Sequence, residues 1–279
     1  MKFTKMHGAG NDYVYVNGFI EKIEDPVALA RQISQRRFGV GADGLILILP
    51  SAVADVRMRM FNVDGSEGAM CGNGIRCVAK YAYDHGLVDR LEMTVETGAG
   101  VLFLVLFADS SGVVNQVQVN MGRPRLSREE IPMSGPATET AVAIPIEIAG
   151  QKFEITCISM GNPHAVVFVD DVAQFPVAEI GPQIETHPWF FDRANVEFVQ
   201  IVNSSEVIQR TWERGSGETF ACGTGASAVT VAGVLTGQTE RKIINHLRGG
   251  DLELEWLESG EVMMVGPAVE VFQGDFEPK

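Results

Sequence analysis

Met70-Cys71-Gly72-Asn73-Gly74-Ile75-Arg76-Cys77 has a second copy 151 positions later, Ala221-Cys222-Gly223-Thr224-Gly225-Ala226, and reading the two stretches together decides how the chain folds. In each, a cysteine precedes Gly-x-Gly and then a run of small and branched aliphatic residues. That is the pattern of a tight turn opening a helix, with the thiol at its first turn. A thiol in that place meets backbone N–H groups that have no partner within the helix, at the positive end of the helix dipole. The expectation is a thiolate-prone sulfur, usable as a base or a nucleophile.

The same displacement lays Asn11 on Asn162, Asn62 on Glu213, Arg59 on Arg210, Phe61 on Trp212, Glu67 on Glu218, Val78 on Val229 and Gly86 on Gly237. No gap is needed from about Asn11 to Leu106. A repeat of this length predicts two structurally similar halves, each contributing one cysteine-headed helix to a single central site used from opposite sides. The halves are expected at 1–122 and 123–266, with the tail 267–279 rejoining the first. The polar, proline-punctuated stretch 123–136 reads as the linker.

At 279 residues the chain exceeds the roughly 100 to 200 residues of one domain, in keeping with two halves. With 46% hydrophobic and 21% charged residues it can fill both cores and shows no disordered block. A net charge of −14, with no basic run richer than Arg36-Arg37 or Arg241-Lys242, argues against a nucleic-acid partner. The apolar runs Leu45 to Leu49 and Val101 to Ala108 are far short of the roughly 20 residues of a membrane span, and no signal-type segment opens the chain. A cytoplasmic protein without membrane contact is the expectation. Four cysteines with no C-x-x-C pair fit a reducing compartment, and no His or Cys cluster has metal-ligand spacing.

Tyr13-Val14-Tyr15-Val16 reads as a strand with Asn11 at its start, and Asp25-Pro26 as the capped beginning of a helix. Gly39, Gly41 and Gly44 spell G-x-G-x-x-G. A dinucleotide fingerprint must follow a strand and open a helix, however, whereas this one runs into the strand-like Leu45 to Leu49, so it is rejected. Val56, Met58 and Met60 alternate with Arg57 and Arg59, a strand delivering Asn62 to the loop before Cys71. Ala226 to Leu235 is apolar on nearly every side and could be a strand; alignment with the helix after Cys71 makes it a helix buried all round.

Two thiolates in one closed site repel, so the pair should hold one proton between them, one sulfur acting as base and the other as acid. Set on either face of a carbon bearing a weakly acidic hydrogen, such a pair removes the proton from one side and returns one to the other, inverting the centre. General acid and base catalysis supplies about 10²- to 10⁴-fold. An unactivated amino acid needs more, and the backbone N–H groups of Gly72, Asn73, Gly223 and Thr224 are placed to take the α-carboxylate as its charge grows.

These residues closely resemble the diaminopimelate epimerase family. The resemblance covers nearly the whole chain: Gly8-Ala9-Gly10-Asn11-Asp12, Phe61-Asn62-Val63-Asp64-Gly65-Ser66, Cys71-Gly72-Asn73-Gly74, Gly161-Asn162-Pro163-His164, Asn195-Val196, and Glu213-Arg214-Gly215 to Cys222-Gly223-Thr224-Gly225. It implies a mixed α/β fold of two pseudo-symmetric halves, each a curled, mostly antiparallel sheet or barrel around a central helix. It also implies a cofactor-independent epimerase interconverting LL- and meso-diaminopimelate, with Cys71 and Cys222 as the catalytic pair. Asn11, Asn62, Asn162, Asn195 and Arg214 would be substrate contacts, with Glu213 near an amino group. Arg214 suits a second carboxylate, since a guanidinium binds it bidentately, and Asn side chains can read an ammonium and a carboxylate together. Members are usually homodimers, and a tyrosine of the family's dimer contact is Phe272 here.

Cys77 and Cys157 lack the helix-start setting and read as packing residues. His164 reads as a site-lining residue or a satisfied turn histidine. The nearest rival is a proline or hydroxyproline racemase, which resembles this fold and thiol pair but typically has His at the position of Asn73 and needs no distal arginine. A rival of another class is a redox-responsive binding protein whose thiols pair as a disulfide.

Overall fold

The computed structural model describes residues 1–278 and divides into two compact units, 1–120 with the segment from Val265 onward, and 121–264. The first unit holds β1 (Lys2–Gly8), β2 (Asn11–Asn17), α1 (Pro26–Ile33), β3 (Gly44–Leu49), β4 (Val56–Asn62), β5 (Glu67–Gly68), α2 (Gly72–Asp84), β6 (Glu92–Thr97), β7 (Gly100–Ala108) and β8 (Val114–Asn120). After it come β9 (Ala141–Ile148), β10 (Gln151–Ser159), β11 (Pro163–Phe168), α3 (Val177–Glu185), β12 (Asn195–Asn203), β13 (Glu206–Glu213), β14 (Gly217–Thr219), α4 (Gly223–Leu235), β15 (Lys242–Leu247), β16 (Gly250–Trp256), β17 (Val262–Pro267) and β18 (Val269–Asp275). Helices α2 and α4 begin and end 151 positions apart, the displacement found in the sequence.

Strand pairing repeats as well. In the first unit neighbours run β18–β1–β2–β3–β4–β6–β7–β8, all antiparallel except β2–β3 and β4–β6. In the second they run β9–β10–β11–β12–β13–β15–β16, all antiparallel except β11–β12 and β13–β15. The parallel joints fall at equivalent places because each needs a crossover, supplied by α1 and α2 in one unit and by α3 and α4 in the other. The fold is mixed α+β and sheet-dominated, and among the described residues the sheet is not closed.

Helix α2 contacts β1, β2, β4, β6, β7, β8 and β18, so the first sheet bends round it. Residues 73–82 of α2 are consequently all buried, Arg76 and Lys80 included. Helix α4 likewise meets β10, β11, β12, β15 and β16, which explains why β-branched Val229, Thr230 and Val231 sit in a helix: every side of it faces a strand. Asp25 caps α1 by accepting from Ala28 N at 2.9 Å. Segment 123–136 is not a free linker. Arg125 and Met133 bridge to Ser159 and Phe190, and Ile131 and Met133 are buried in the core of the second unit. Two apolar anchors in a polar stretch carry too little periodicity to be seen in the sequence. Among the described residues no helix is long and apolar enough to cross a membrane.

Candidate active site

Cys71 and Cys222 are the N-cap residues of α2 and α4, with φ/ψ of −138°/115° and −126°/110°, so the repeat places both sulfurs in the same backbone setting. All four cysteines are free thiols. Burial pushes Cys77 up to about 11 and Cys157 up to about 12, which keeps both protonated and suits the packing role read from the sequence.

Around Cys71 the structure gathers Asn11, Gly72 and Asn73. The sulfur accepts from Gly74 N at 3.3 Å and lies 3.5 Å from Asn11 Oδ1, to which the thiol donates. Asn73 Nδ2 also reaches Asn11 Oδ1 at 3.5 Å. Asn11 is oriented from behind, because its Nδ2 donates to Asp43 Oδ2 at 2.8 Å. Asp43 belongs to a half-buried carboxylate pair with Asp12, bridged by Arg36. Burial and the neighbouring Asp12 charge push Asp43 up, whereas at Asp12 the burial penalty is outweighed by Lys5 and Arg36, which hold it down. That network was invisible in the sequence, since Lys5, Asp12, Arg36 and Asp43 come from four separate segments. Asn62 stands apart at the end of β4, its Nδ2 on Ser66 Oγ at 2.9 Å.

Around Cys222 a longer chain of contacts forms. Its sulfur is 3.4 Å from Thr224 Oγ1, which accepts from Asn162 Nδ2 at 3.4 Å; Asn162 Oδ1 is 3.1 Å from His164 Nε2, and His164 Nδ1 is 2.8 Å from Glu197 Oε1. His164 and Glu197 are wholly buried. Burial, followed by the negative charges of Glu213 and Glu197, pushes the Cys222 thiol well above its ordinary range, against the help of Thr224 and the Gly225 amide. The helix-start position alone therefore does not make Cys222 a thiolate; removal from water and two carboxylates override the dipole. Sequence reasoning missed Glu197, though one signal was present: a carboxylate among Val196, Phe198 and Val199 in a strand whose repeat equivalent is apolar.

Asn195 is buried, donating to Pro163 O at 3.0 Å and accepting from Arg214 N at 2.9 Å, so it pins the backbone of the arginine loop. Arg214 Nη1 donates to Asp192 Oδ2 at 2.6 Å and to Asp192 O at 2.8 Å; among the described residues no hydrogen bond is seen from its Nε or Nη2. Glu213 Oε1 accepts from Thr219 at 2.6 Å. Gly223 and Thr224 open α4 as Gly72 and Asn73 open α2, so the first-turn N–H groups of both helices lack partners within the helix.

Comparison with known proteins agrees in both sequence and fold. A family model described as diaminopimelate epimerase matches residues 3–127 and 156–271. Curated relatives called diaminopimelate epimerase include those of Moorella thermoacetica, 54% identical, and Agathobacter rectalis, 52% identical, each covering 99% of both chains. Among solved structures, a probable proline racemase from Agrobacterium radiobacter K84 matches with a TM-score of 0.72 at 17% identity, over 100% of this chain and 93% of that one. At that identity the likeness extends to the fold alone.

Proposed function

The chain belongs to the diaminopimelate epimerase family, and on that premise we propose that it interconverts LL- and meso-2,6-diaminopimelate without a cofactor, Cys71 and Cys222 exchanging the α-proton. The carrying observation is the pair of cysteine-capped helices, each thiol at the N-cap of a helix whose first-turn N–H groups can take a carboxylate. One sulfur removes the hydrogen from the α-carbon, the carbanion's charge spreads into that carboxylate, and the other sulfur delivers a proton from the opposite side. Asn11, Asn62, Asn162, Asn195, Glu213 and Arg214 select a substrate bearing a second amino-acid group, Arg214 taking its distal carboxylate. His164 lines the site through Asn162. The reaction serves lysine formation, and the same product feeds peptidoglycan precursors.

We place this small-molecule enzyme in the cytoplasm, in line with cysteines that form no disulfide and an acidic chain. We read it as a homodimer, supported by the apolar residues Val269, Val271 and Phe272 exposed on β18, a surface suited to a second copy of the chain.

The deciding measurement is deuterium uptake in heavy water followed by NMR. Exchange at the α-carbon of diaminopimelate, and none with proline, is expected; the reverse pattern would overturn the reading. Replacing Arg214 by Lys is expected to raise KM for diaminopimelate roughly 10- to 100-fold, because a point charge does not replace a planar fork on a carboxylate. Unchanged KM would remove Arg214 from the substrate site.

A further inference from the structure

Laying the second unit on the first by 151 positions superposes the two thiols and most of their frame, so the departures from the repeat stand out. Two fall beside the sulfurs. Arg76, under the first turn of α2, has Ser227 as its counterpart in α4. Glu197, on β12 beside the start of α4, has Ile46 as its counterpart on β3.

Both exchanges are in register. Arg76 is wholly buried and gives hydrogen bonds to Gly72 O at 3.0 Å, Asn73 Oδ1 at 2.9 Å and Pro267 O at 3.1 Å. Ser227, also wholly buried, makes the equivalent bond to Gly223 O at 2.9 Å with a neutral hydroxyl. On the other side, a methyl group at Gly74 would fall 2.6 Å from Ile46 Cδ1, and one at Gly225 would fall 2.5 Å from Glu197 Oε1. Ile46 and Glu197 therefore occupy the same place against the third residue beyond each thiol. One start of helix has a guanidinium beneath it and an alkyl group beside it; the other has a hydroxyl and a carboxylate.

Glu197 is only half satisfied. Its Oε1 meets His164 Nδ1, while its buried Oε2 has no hydrogen-bond partner among the described residues. An uncompensated buried carboxylate oxygen draws on the nearest fixed positive potential, here the N-terminal turn of α4, and so reduces what that turn can offer a thiolate at Cys222. At α2 the corresponding place against Gly74 is taken by the uncharged side chain of Ile46, and the guanidinium of Arg76 adds a full positive charge. Asn11 Oδ1, which accepts from the Cys71 thiol, is a neutral dipole and is offset by Gly74 N–H on the same sulfur.

We propose that this double exchange polarises the thiol pair: Arg76 makes Cys71 the readily ionised member, the base of the resting protein, and Glu197 holds Cys222 as its protonated acid. Both are positioning residues, acting through the thiols and not on the substrate. The inference rests on the two-thiol reading above. The charged and titratable groups facing Cys222 are Glu197 and Glu213, with His164 behind Asn162. Those around Cys71 include Arg76, Cys77 and Tyr15, with Asp43 behind Asn11.

Iodoacetamide alkylation of the full-length protein, followed against pH with each cysteine quantified by peptide mass spectrometry, gives each sulfur its own titration midpoint whatever its accessibility. The Cys71 midpoint is expected at least about one pH unit below that of Cys222, about a tenfold difference in ionisation. Glu197→Gln is expected to lower the Cys222 midpoint by about one unit and leave Cys71 in place. Arg76→Met is expected to raise Cys71 by a similar amount and leave Cys222 in place. Equal or reversed midpoints in the parent protein overturn the proposal even if neither variant folds, and so does a folded Glu197→Gln protein with an unmoved Cys222. Deuterium exchange on the same preparation separates the two readings. A parent that exchanges diaminopimelate with equal thiols defeats the polarity alone, whereas one that exchanges nothing defeats the proposed reaction.

Discussion

Cys71→Ala and Cys222→Ala are each expected to slow the interconversion of LL- and meso-diaminopimelate by about 10³-fold, the middle of the range for a positioned acid or base. The loss is chemical and not a failure to fold. Cys71 does accept from Gly74 N–H as an N-cap, but losing a cap costs only about 1 kcal/mol. The double variant should be scarcely worse than either single one, because inversion needs both a base and an acid and the first deletion already removes the pathway. A finer signature follows from the geometry of inversion. With one sulfur left, only the stereoisomer whose α-hydrogen is presented to that sulfur can wash in deuterium, and it must do so without inverting. NMR on each pure isomer in heavy water reads this directly. A single variant that exchanges both isomers, or keeps full turnover, rules out a two-thiol mechanism.

Much of this was legible because it rests on local chemistry repeated once. Gly-x-Gly after a cysteine reports a helix start without knowledge of the rest of the chain, and a fixed displacement reports that the start occurs twice. The displacement also settled what propensity could not, since Ala226 to Leu235 is as good a strand as a helix until aligned with its partner. Illegible were properties made by elements that meet only in the folded chain. His164 and Glu197 are 33 positions apart and touch because β11 and β12 pair in parallel. No local pattern predicts that pairing, so the expectation of a thiolate-prone Cys222 failed: the dipole could be read from sequence, the burial and the two carboxylates could not. Asn195 shows the same limit from another side. Its motif points to a ligand, while its side chain already joins Pro163 to the Arg214 loop, so its first effect on a substrate is to place that arginine.

Gly44→Ala is the stability change with the largest expected effect, about 3 kcal/mol or more, lowering the melting temperature by roughly 10 °C. Gly44 opens β3 and pairs with Tyr13 on β2 and Asn62 on β4. A β-carbon there would lie 2.1 Å from Phe61 O and 2.8 Å from Tyr13 Cε1. The ring can shift, but the carbonyl is fixed in the strand backbone and cannot withdraw without spoiling the register that presents Asn62. The backbone at Gly44 is not left-handed, so the cost is close approach alone. Gly86→Ala supplies the converse case: φ is +70° after the end of α2, with open space around the position, and only left-handed strain of about 1 kcal/mol is expected. Calorimetry on the two variants separates the causes, and equal shifts would show that crowding at Gly44 is not what excludes a side chain. The same crowding accounts for the misleading G-x-G-x-x-G. Its last glycine is there for a neighbouring strand's carbonyl and a tyrosine ring, which already fill the space a pyrophosphate would need.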